Sequence, residues 1–277
     1  MKAAFKIIPE EEQNNDTHLL IEAGAESISF LLYSKSPFKI NGLYLYNLDK
    51  NLLPAEIAAE INDGINNEPL LQQSFPSCTV CYNFKESLLQ PQQYFNEEAQ
   101  EEMLQLFFGS SNSAIIYCDK MPEQKIANVY RVEEIITQVL QEFFAEAAYF
   151  HSSTLQLKKL PEQDNTLSCI VYHSAIKIIL YKENKLQLVQ YFSYSIAMDV
   201  AYHLLNVCTQ HGIAATEINI LLSGMIDEKS NLYNEIYKYF LNVQFDKLPA
   251  DIALAEGILN YPPHFFSHLI SLTSCVS

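Results

Sequence analysis

The first part of the chain carries a pattern of apolar and polar positions that predicts three consecutive strands and a helix. The three apolar runs cover residues 17–23, 27–33 and 38–48, and short polar turns separate them. Strands joined by short turns are typical of an antiparallel meander. Pro54 then stands where a helix can begin, because proline suits the first helical turn. The apolar residues that follow it at helical spacing are Ile57, Ala58, Ile61 and Ile65.

In the next segments the spacing of apolar residues alternates between that of a strand and that of a helix. The predicted elements are strands at 77–84 and 113–118 and helices at 91–108 and 132–144. Gly109 suits the end of the first of these helices. The apolar stripe that we expect this helix to bury consists of Phe95, Ala99, Met103, Leu106 and Phe107.

The same order of elements then returns. A polar stretch at 161–166 contains a proline and is the predicted boundary between two halves, 1–160 and 161–277. The predicted strands of the second half are 167–172, 175–181, 185–192 and 218–222, and its predicted helices are 196–208, 231–240 and the tail at 262–276. Both halves therefore read strand, strand, strand, helix, strand, helix. The aromatic face of 231–240 is expected to pack either on a sheet or on a partner.

Composition and charge narrow the classes of function. Of the 277 residues, 49% are apolar, so the chain can bury a sizeable core without metals or disulfides. The formal net charge is −16 and the basic residues do not cluster, which disfavours nucleic acid and anionic membrane surfaces as partners. No apolar run reaches the ~18 residues of a membrane helix, and the first residues lack the long apolar region of a signal peptide. We expect a cytoplasmic protein without membrane insertion.

Cys78 and Cys81 form a Cys-x-x-Cys pair, which raises the possibility of zinc or redox chemistry. A zinc site needs a second pair of ligands at a similar spacing, and the sequence offers none. The pair also stands in a predicted strand, where residues three apart point to opposite faces. We therefore expect free thiols and no metal.

Three short segments resemble the nucleotide-binding motifs of the actin-like, ribonuclease H-like ATPases. Residues 21–24 (Ile-Glu-Ala-Gly) resemble the first phosphate loop, which usually reads Asp-x-Gly. Residues 171–174 resemble the second phosphate loop, and residues 220–224 (Ile-Leu-Leu-Ser-Gly) are similar to the adenosine-side motif, which ends in Ser-Gly-Gly. In layout the second half is similar to the PilM and FtsA proteins. The whole chain resembles a family of uncharacterised bacterial proteins of this fold.

This resemblance implies a duplicated ribonuclease H-like α/β fold. Each half would hold a mixed sheet, made of an antiparallel meander plus parallel strands, with helices packed on it. The positions that it implies as remnants of a nucleotide site are Glu22, Gly24, Ser223 and Gly224.

The departures from the family's motifs predict that the nucleotide chemistry is lost. In working members an Asp at each phosphate loop holds the metal and positions water, and glycines let the backbone wrap the phosphates. Here the first loop has Glu22 and one glycine, followed by Glu26, whose carboxylate would face and repel phosphates. The second loop, residues 172–174, reads Tyr-His-Ser and has neither carboxylate nor glycine, and Met225 replaces the second glycine of the adenosine motif.

Each candidate residue has both a functional and a purely structural interpretation. Glu22 is either a metal-binding carboxylate or a solvated or capped acid at a strand end. His173 is either a general base or a locally satisfied side chain. Ser223 and Gly224 either mark an adenosine site or form a tight turn. We expect a non-catalytic scaffold that binds an unidentified protein partner, without cofactor. The alternative is an atypical nucleotide-binding protein or ATPase that uses the cleft between the halves.

Overall fold

Two mixed sheets and one small antiparallel sheet make up the protein. A computed structural model describes residues 3–9, 16–158, 164–248 and 252–276. In the first half the elements are β1 (Ala3–Ile7), β2 (Thr17–Gly24), β3 (Ser27–Lys35), β4 (Phe38–Asn47), α1 (Pro54–Asn66), β5 (Cys78–Asn83), β6 (Ser87–Pro91), α2 (Gln100–Phe108), β7 (Ala114–Met121), β8 (Ile126–Glu133), α3 (Glu134–Phe143), β9 (Ala148–His151) and α4 (Ser152–Leu157).

The second half repeats the main pattern of the first. Its elements are β10 (Thr166–Val171), β11 (Ala175–Lys182), β12 (Lys185–Ser193), α5 (Ala197–Gln210), β13 (Asn219–Gly224), α6 (Asn231–Tyr237), β14 (Asn242–Phe245), β15 (Ala253–Leu254), α7 (Glu256–Leu259) and α8 (Ser267–Thr273). No helix of the described residues is long and apolar enough to cross a membrane.

Corresponding strands occupy corresponding places in the two large sheets. The first sheet has the order β1-β4-β3-β2-β5-β9, and the second has β12-β11-β10-β13-β14. In both, the first three strands of the repeat pair antiparallel and the next two run parallel to the central one. The predicted duplication of a mixed α/β unit is therefore confirmed.

Each large sheet buries one face under its own pair of helices. The predicted stripe of α1 is buried with α3 on the first sheet, and α5 and α6 cover the second sheet in the same way. The helix α1 begins at Pro54, and the backbone N–H of the preceding Leu53 donates to the Glu56 carboxylate at 2.7 Å. This hydrogen bond caps the first turn of the helix. In α6, Ile236 is buried on the sheet while Tyr237 is exposed, so this helix packs on the sheet and not entirely through its aromatic face.

A small sheet with the order β6-β8-β7 is inserted in the first half, and it corrects two predicted helices. The predicted helix at 91–108 is wrong in its first part, because Pro91 ends an edge strand and single 3-10 turns follow at Gln92–Tyr94 and Glu97–Ala99. Leu106 and Phe107 are exposed, and Leu104 is the buried residue of α2 instead. The helix predicted from 132 begins at Glu134, since Val132 belongs to β8.

The C-terminal segment packs on the first sheet, although it follows the second half in sequence. β15 pairs with the start of β4, and Phe266, Leu269 and Ile270 are buried against Leu20 and Leu31 on the sheet face opposite α1. The predicted domain boundary at 160/161 lies outside the described residues and stays a prediction. The structure adds that the chain returns to the first half after β14.

The cysteines behave as the strand pattern predicts. Cys78 packs on the core beneath α1 and α3, whereas Cys81 lies in the core under α8, so the two thiols point to opposite faces of β5. The six cysteines are thiols, and the described residues contain no disulfide. Among the described residues no group of three or more His, Cys, Asp or Glu side chains is placed to hold a metal ion.

Candidate functional site

The four remnant positions lie at two strand ends in different sheets. Glu22 and Gly24 stand at the end of β2, and Ser223 and Gly224 stand at the end of β13. All four are buried, and the residues that line the cavity between the halves do not include them. The structure therefore brings each pair together but does not place the four around one accessible site.

Glu22 is a buried acid, so the expectation of a solvated or capped side chain is wrong. Its side chain is 1% exposed and points to the same face of β2 as Leu20, away from α1. Its Oε1 has no hydrogen-bond partner among the described residues. Burial raises the pKa of the Glu22 carboxyl, and the positive charge of Lys177 works against that rise.

Lys177 supplies the positive charge that faces Glu22 from the second half. It stands on β11 between Ile176 and Ile178, which point to the helix-covered face, so its own side chain points to the inner face of the second sheet. The residue is fully buried. Burial lowers the pKa of the Lys177 ammonium group, while Glu22 raises it. Each residue thus acts electrostatically on the other across the two sheets, and burial shifts both pKa values toward the neutral forms.

Hydrogen bonds hold the Lys177 ammonium group against the first half. Its Nζ donates to the hydroxyl of Ser152 at 3.0 Å and to Oδ1 of Asn83 at 3.5 Å. The same Asn83 oxygen accepts hydrogen bonds from Ser152 at 2.7 Å and from the Tyr191 hydroxyl. The ammonium group also lies 5.1 Å from the centre of the Tyr191 ring. This network joins the ends of β5 and α4 to β11 and β12.

Two histidines near this network are held neutral. Burial, with Lys177 as the second cause, lowers the pKa of His151 and of His268 to about 3. His151 donates its Nε2–H to the carbonyl of Phe84 at 2.9 Å and accepts the backbone N–H of Ser153 at Nδ1. A proton on Nε2 leaves Nδ1 free to accept, so neutral His151 satisfies both bonds.

Glu26 occupies the second loop with its own carboxylate. Its Oε2 accepts the backbone N–H of Ser174 at 3.1 Å and the Ser174 hydroxyl at 2.5 Å. Backbone N–H groups of such loops are the donors that anions use. The Glu26 carboxylate, which we predicted to face phosphates, therefore accepts the hydrogen bonds that the second loop would otherwise offer to an anion. His173 is exposed in the same loop.

The two glycines of the site serve close packing of the backbone. A Cβ on Gly24 would lie 2.7 Å from the carbonyl oxygen of Asn83. A Cβ on Gly224 would lie 2.3 Å from the carbonyl oxygen of Val171, and Gly224 has a φ of +83°. The same Val171 oxygen accepts the N–H of Met225 at 2.7 Å. For Ser223 and Gly224 the geometry is that of the tight turn, the plainer of the two alternatives.

A cavity of about 380 Å³ opens between the halves beside the two loops. Glu26, Glu86 and Glu133 line it together with Lys85 and Arg131. Arg131 donates from Nε to Glu86 at 2.6 Å, so this pair neutralises itself and leaves an excess of carboxylate. Such a lining favours uncharged or cationic groups over phosphates.

The residues present do not match the needs of a magnesium nucleotide, the ligand that an ATPase fold implies. Only one carboxylate, Glu22, stands where the resemblance implies a metal-binding acid, and the positive charge of Lys177 acts on it from the second half. The second loop offers no carboxylate, and Glu26 takes its backbone donor. The carbonyl of Val171 already packs against the Cα of Gly224, so this side of the glycine has no space for a ligand.

Sequence reasoning missed Lys177, Asn83 and Ser152. A signal for Lys177 was present, because a lysine interrupts the apolar run Ala-Ile-Lys-Ile-Ile in a strand predicted to be buried. A lysine in such a place needs an acidic or polar partner. Asn83 and Ser152 carry no such mark, since either residue is ordinary at a strand end or a helix start.

The fold matches solved structures over nearly the whole chain. A protein of Bacteroides thetaiotaomicron VPI-5482, described as having an actin-like ATPase fold and unknown function, is 20% identical with a TM-score of 0.75, over 94% of this chain and 96% of that one. A chain of the PilM–PilN type IV pilus biogenesis complex is 12% identical with a TM-score of 0.64, over 95% and 100%. The ethanolamine utilization protein EutJ of Carboxydothermus hydrogenoformans is 8% identical with a TM-score of 0.51, over 96% and 91%.

The sequence gives a second line of comparison. No protein of curated function matches it. Residues 9–243 match a family described as Protein of unknown function (DUF3822). The match spans most of the chain, and the structural neighbours share one fold. The chain has the actin-like ATPase fold and belongs to the family of proteins of unknown function DUF3822.

Proposed function

We propose that this protein is a non-catalytic, cytoplasmic member of the actin-like fold that serves as a scaffold for a protein partner. In this proposal the cleft between the halves is held by the chain's own side chains instead of by a nucleotide. The single observation that carries it is the carboxylate of Glu26, which accepts both hydrogen bonds that Ser174 offers from the second loop.

The charge pair beneath the loops supports the same proposal. In an ATPase a divalent cation would stand beside the acid of the first loop. Here the fully buried Lys177 balances Glu22 and reaches across to Ser152. In this proposal the Glu26 carboxylate takes the place of a phosphate at the second loop, and the Lys177 ammonium group takes the place of a metal ion near Glu22.

A structural neighbour supports the scaffold part. The PilM–PilN complex shows a protein of this fold assembled with another protein. A chain without nucleotide chemistry can keep such a role, because partner binding uses surfaces that the loops do not form.

Thermal unfolding with and without Mg-ATP tests the non-catalytic part. We expect no change in the midpoint, whereas a ligand at about 100 times its dissociation constant would stabilise the fold by ~2.7 kcal/mol. A second measurement follows phosphate release from ATP over hours and should equal the rate without protein.

Glu22→Gln is the matched variant for both measurements, since it keeps the size of the side chain and removes its charge. A midpoint shift or phosphate release in the wild type that this variant abolishes would show a working nucleotide site. That outcome would favour the alternative, an atypical ATPase of the cleft, and end the proposal.

A further inference from the structure

The outer edges of β6 and β12 face one another across a second cavity, of about 500 Å³. β12 ends the second sheet and β6 ends the small sheet, and no described strand pairs with either outer edge. Six consecutive residues of β12, 186–191, line the cavity. Successive side chains of a strand point to opposite faces, so an unbroken run lines a cavity only where the strand's edge is turned toward it.

The hydrogen-bond register gives the direction of the backbone groups in β12. The N–H of Tyr194 donates to the carbonyl of Ser174 at 2.9 Å, on the side of β11. Bonded and non-bonded pairs alternate along an antiparallel ladder. The pair Ser174/Tyr194 is bonded, so every second pair from there along the register is also bonded. Val189 and Tyr191 belong to the intervening, non-bonded pairs. Their N–H and C=O groups therefore point away from β11 and toward the cavity.

The opposite wall follows the same rule. The N–H of Gln92 donates to the carbonyl of Lys125 at 2.8 Å, and the N–H of Arg131 donates to the carbonyl of Glu86 at 3.1 Å. Between these bonded pairs the register of β6 and β8 leaves Ser87 and Leu89 with outward backbone groups. Outward backbone groups of both strands thus border one cavity, and of those on β6 the Ser87 N–H already donates to the carbonyl of Lys85 at 2.9 Å.

The side chains around the cavity give the chemistry of an occupant. Among the described lining residues Lys85 is the only charged one, in a chain of net charge −16. Most of the others are apolar, including Leu88, Phe108 and Leu188. Ser153 is 1% exposed, lines the cavity, and has no hydrogen-bond partner for its Oγ among the described residues.

Unprotected edges of this length are uncommon in single proteins. Natural edge strands are usually blunted by charges, prolines or short length, because a free edge pairs with other chains. β12 has nine residues, no proline, and its one charged residue, Lys185, stands at its first position. An edge kept open in this way is a template for an added strand.

We propose that this cavity binds an extended segment of a partner protein, which pairs with the outer edge of β12 as an additional strand. The segment is free of proline, alternates apolar side chains, and carries one carboxylate that meets Lys85. The inference rests on the proposed scaffold function and names where the scaffold takes its partner.

Selection from a random peptide display library on the immobilised full chain tests the inference. We expect enriched peptides with a proline-free run, alternating apolar residues and one acidic residue. Val189→Pro removes one outward N–H and leaves the ladder to β11 intact, so it should weaken the dissociation constant of these peptides at least ~10-fold. Val189→Ala loses a similar side chain but keeps the N–H, and it should bind within ~3-fold of the wild type.

Hydrogen exchange on the wild type keeps the test independent of the folding of the proline variant. A bound peptide should slow exchange of the amides of Val189 and Tyr191. The inference is overturned if no peptide is enriched, if the enriched peptides leave both amides unchanged, or if Val189→Pro binds them as well as Val189→Ala. Light scattering that shows a dimer broken by Val189→Pro would make a second copy the occupant and overturn it also.

The two proposals fail separately. Stabilisation of both Val189 variants by Mg-ATP would end the proposed function whatever the peptides do. Absence of peptide binding with no effect of Mg-ATP would end only the assignment of this cavity.

Discussion

At the scale of single residues, the centre of the molecule is a buried set of charges that belong to different halves. Glu22 comes from β2 and Lys177 from β11, and each is shielded from water. A buried charge without its partner is costly, whereas the pair with its hydrogen bonds is tolerated. The pair therefore favours one arrangement of the two sheets.

Lys177→Met should destabilise the protein strongly, because it leaves the Glu22 carboxyl without its counter-charge and Ser152 without a donor. We expect a loss of roughly 3–5 kcal/mol in the free energy of unfolding, measured by urea denaturation at neutral pH. The double variant Glu22→Gln/Lys177→Met should lose less than Lys177→Met alone. Equal losses in the two variants would show that the charges do not act on each other.

His268 predicts a loss of stability in acid. Its pKa is lowered to about 3 in the folded protein, against an ordinary value of 6.5, so below pH 6.5 the unfolded chain binds a proton that the folded one refuses. Stability from this residue is complete above pH 6.5 and is lost as the pH falls toward about 3. One proton changes the free energy of unfolding by ~1.4 kcal/mol per pH unit.

His268→Phe removes that proton and keeps a ring beside Tyr172. Between pH 6.5 and pH about 5 the wild type should lose ~2 kcal/mol more than this variant in urea denaturation. His203, which is only partly buried and stacks on Phe192, offers the matched control in His203→Phe. If His268→Phe and the wild type have parallel pH profiles, the histidine is not held neutral.

At the scale of elements, the ends of the central strands depend on close approaches of backbone to backbone. β13 can turn beside β10 only because Gly224 has no side chain to meet the Val171 carbonyl. The same kind of contact fixes Gly24 beside Asn83. A motif that the resemblance assigns to adenosine binding thus has a structural role in this chain.

Gly224→Ala and Gly109→Ala separate the two costs of a side chain at positive φ. Both glycines have φ near +80°, but the space around Gly109 is open within 4 Å. Gly109, with φ of 80° and ψ of 174°, lies in a region that is nearly restricted to glycine, so Gly109→Ala should cost ~1–3 kcal/mol from the backbone conformation alone. Gly224→Ala should cost ~1–3 kcal/mol more, because the backbone must shift. Similar thermal midpoints for the two variants would contradict this account.

At the scale of the whole molecule, the C-terminal segment closes the first half after the chain has completed the second. α8 buries its apolar face on the first sheet, opposite the helices of that half. His264 donates from Nε2 to the carbonyl of Ile226 at 2.8 Å, which ties the returning segment to the end of β13 as well. The two halves therefore share one closing element.

Leu269→Ala should show that this return carries stability. Leu269 is 0% exposed in the core of the first half, and its truncation should cost ~2–5 kcal/mol. The same substitution at Leu106, which is 76% exposed on α2, should change the free energy of unfolding by less than ~0.5 kcal/mol. Chemical denaturation of the two variants compares them directly, and a small effect at Leu269 would mean that α8 is dispensable.

The sequence by itself determined the duplicated order of elements and most of the core. Local patterns predict the stripe of Ile57, Ile61 and Ile65 and the meander strands of both halves. In these elements, neighbouring residues determine both the spacing of apolar side chains and the position of the turns. Local patterns did not predict the small sheet of β6, β8 and β7. Pro91 and the apolar residues after it match a helix start locally, and only pairing with β8 makes the segment 87–91 a strand.

The tertiary structure alone decided what the candidate residues do. The sequence placed Glu22 and Glu26 at the first loop and predicted that the loop had lost its nucleotide chemistry. It did not indicate that Glu26 would bind Ser174 or that Lys177 would face Glu22, since each pair joins residues about 150 positions apart. Contacts between the halves depend on how two sheets meet, and the physical reason is that side-chain periodicity fixes a face but not the partner opposite it.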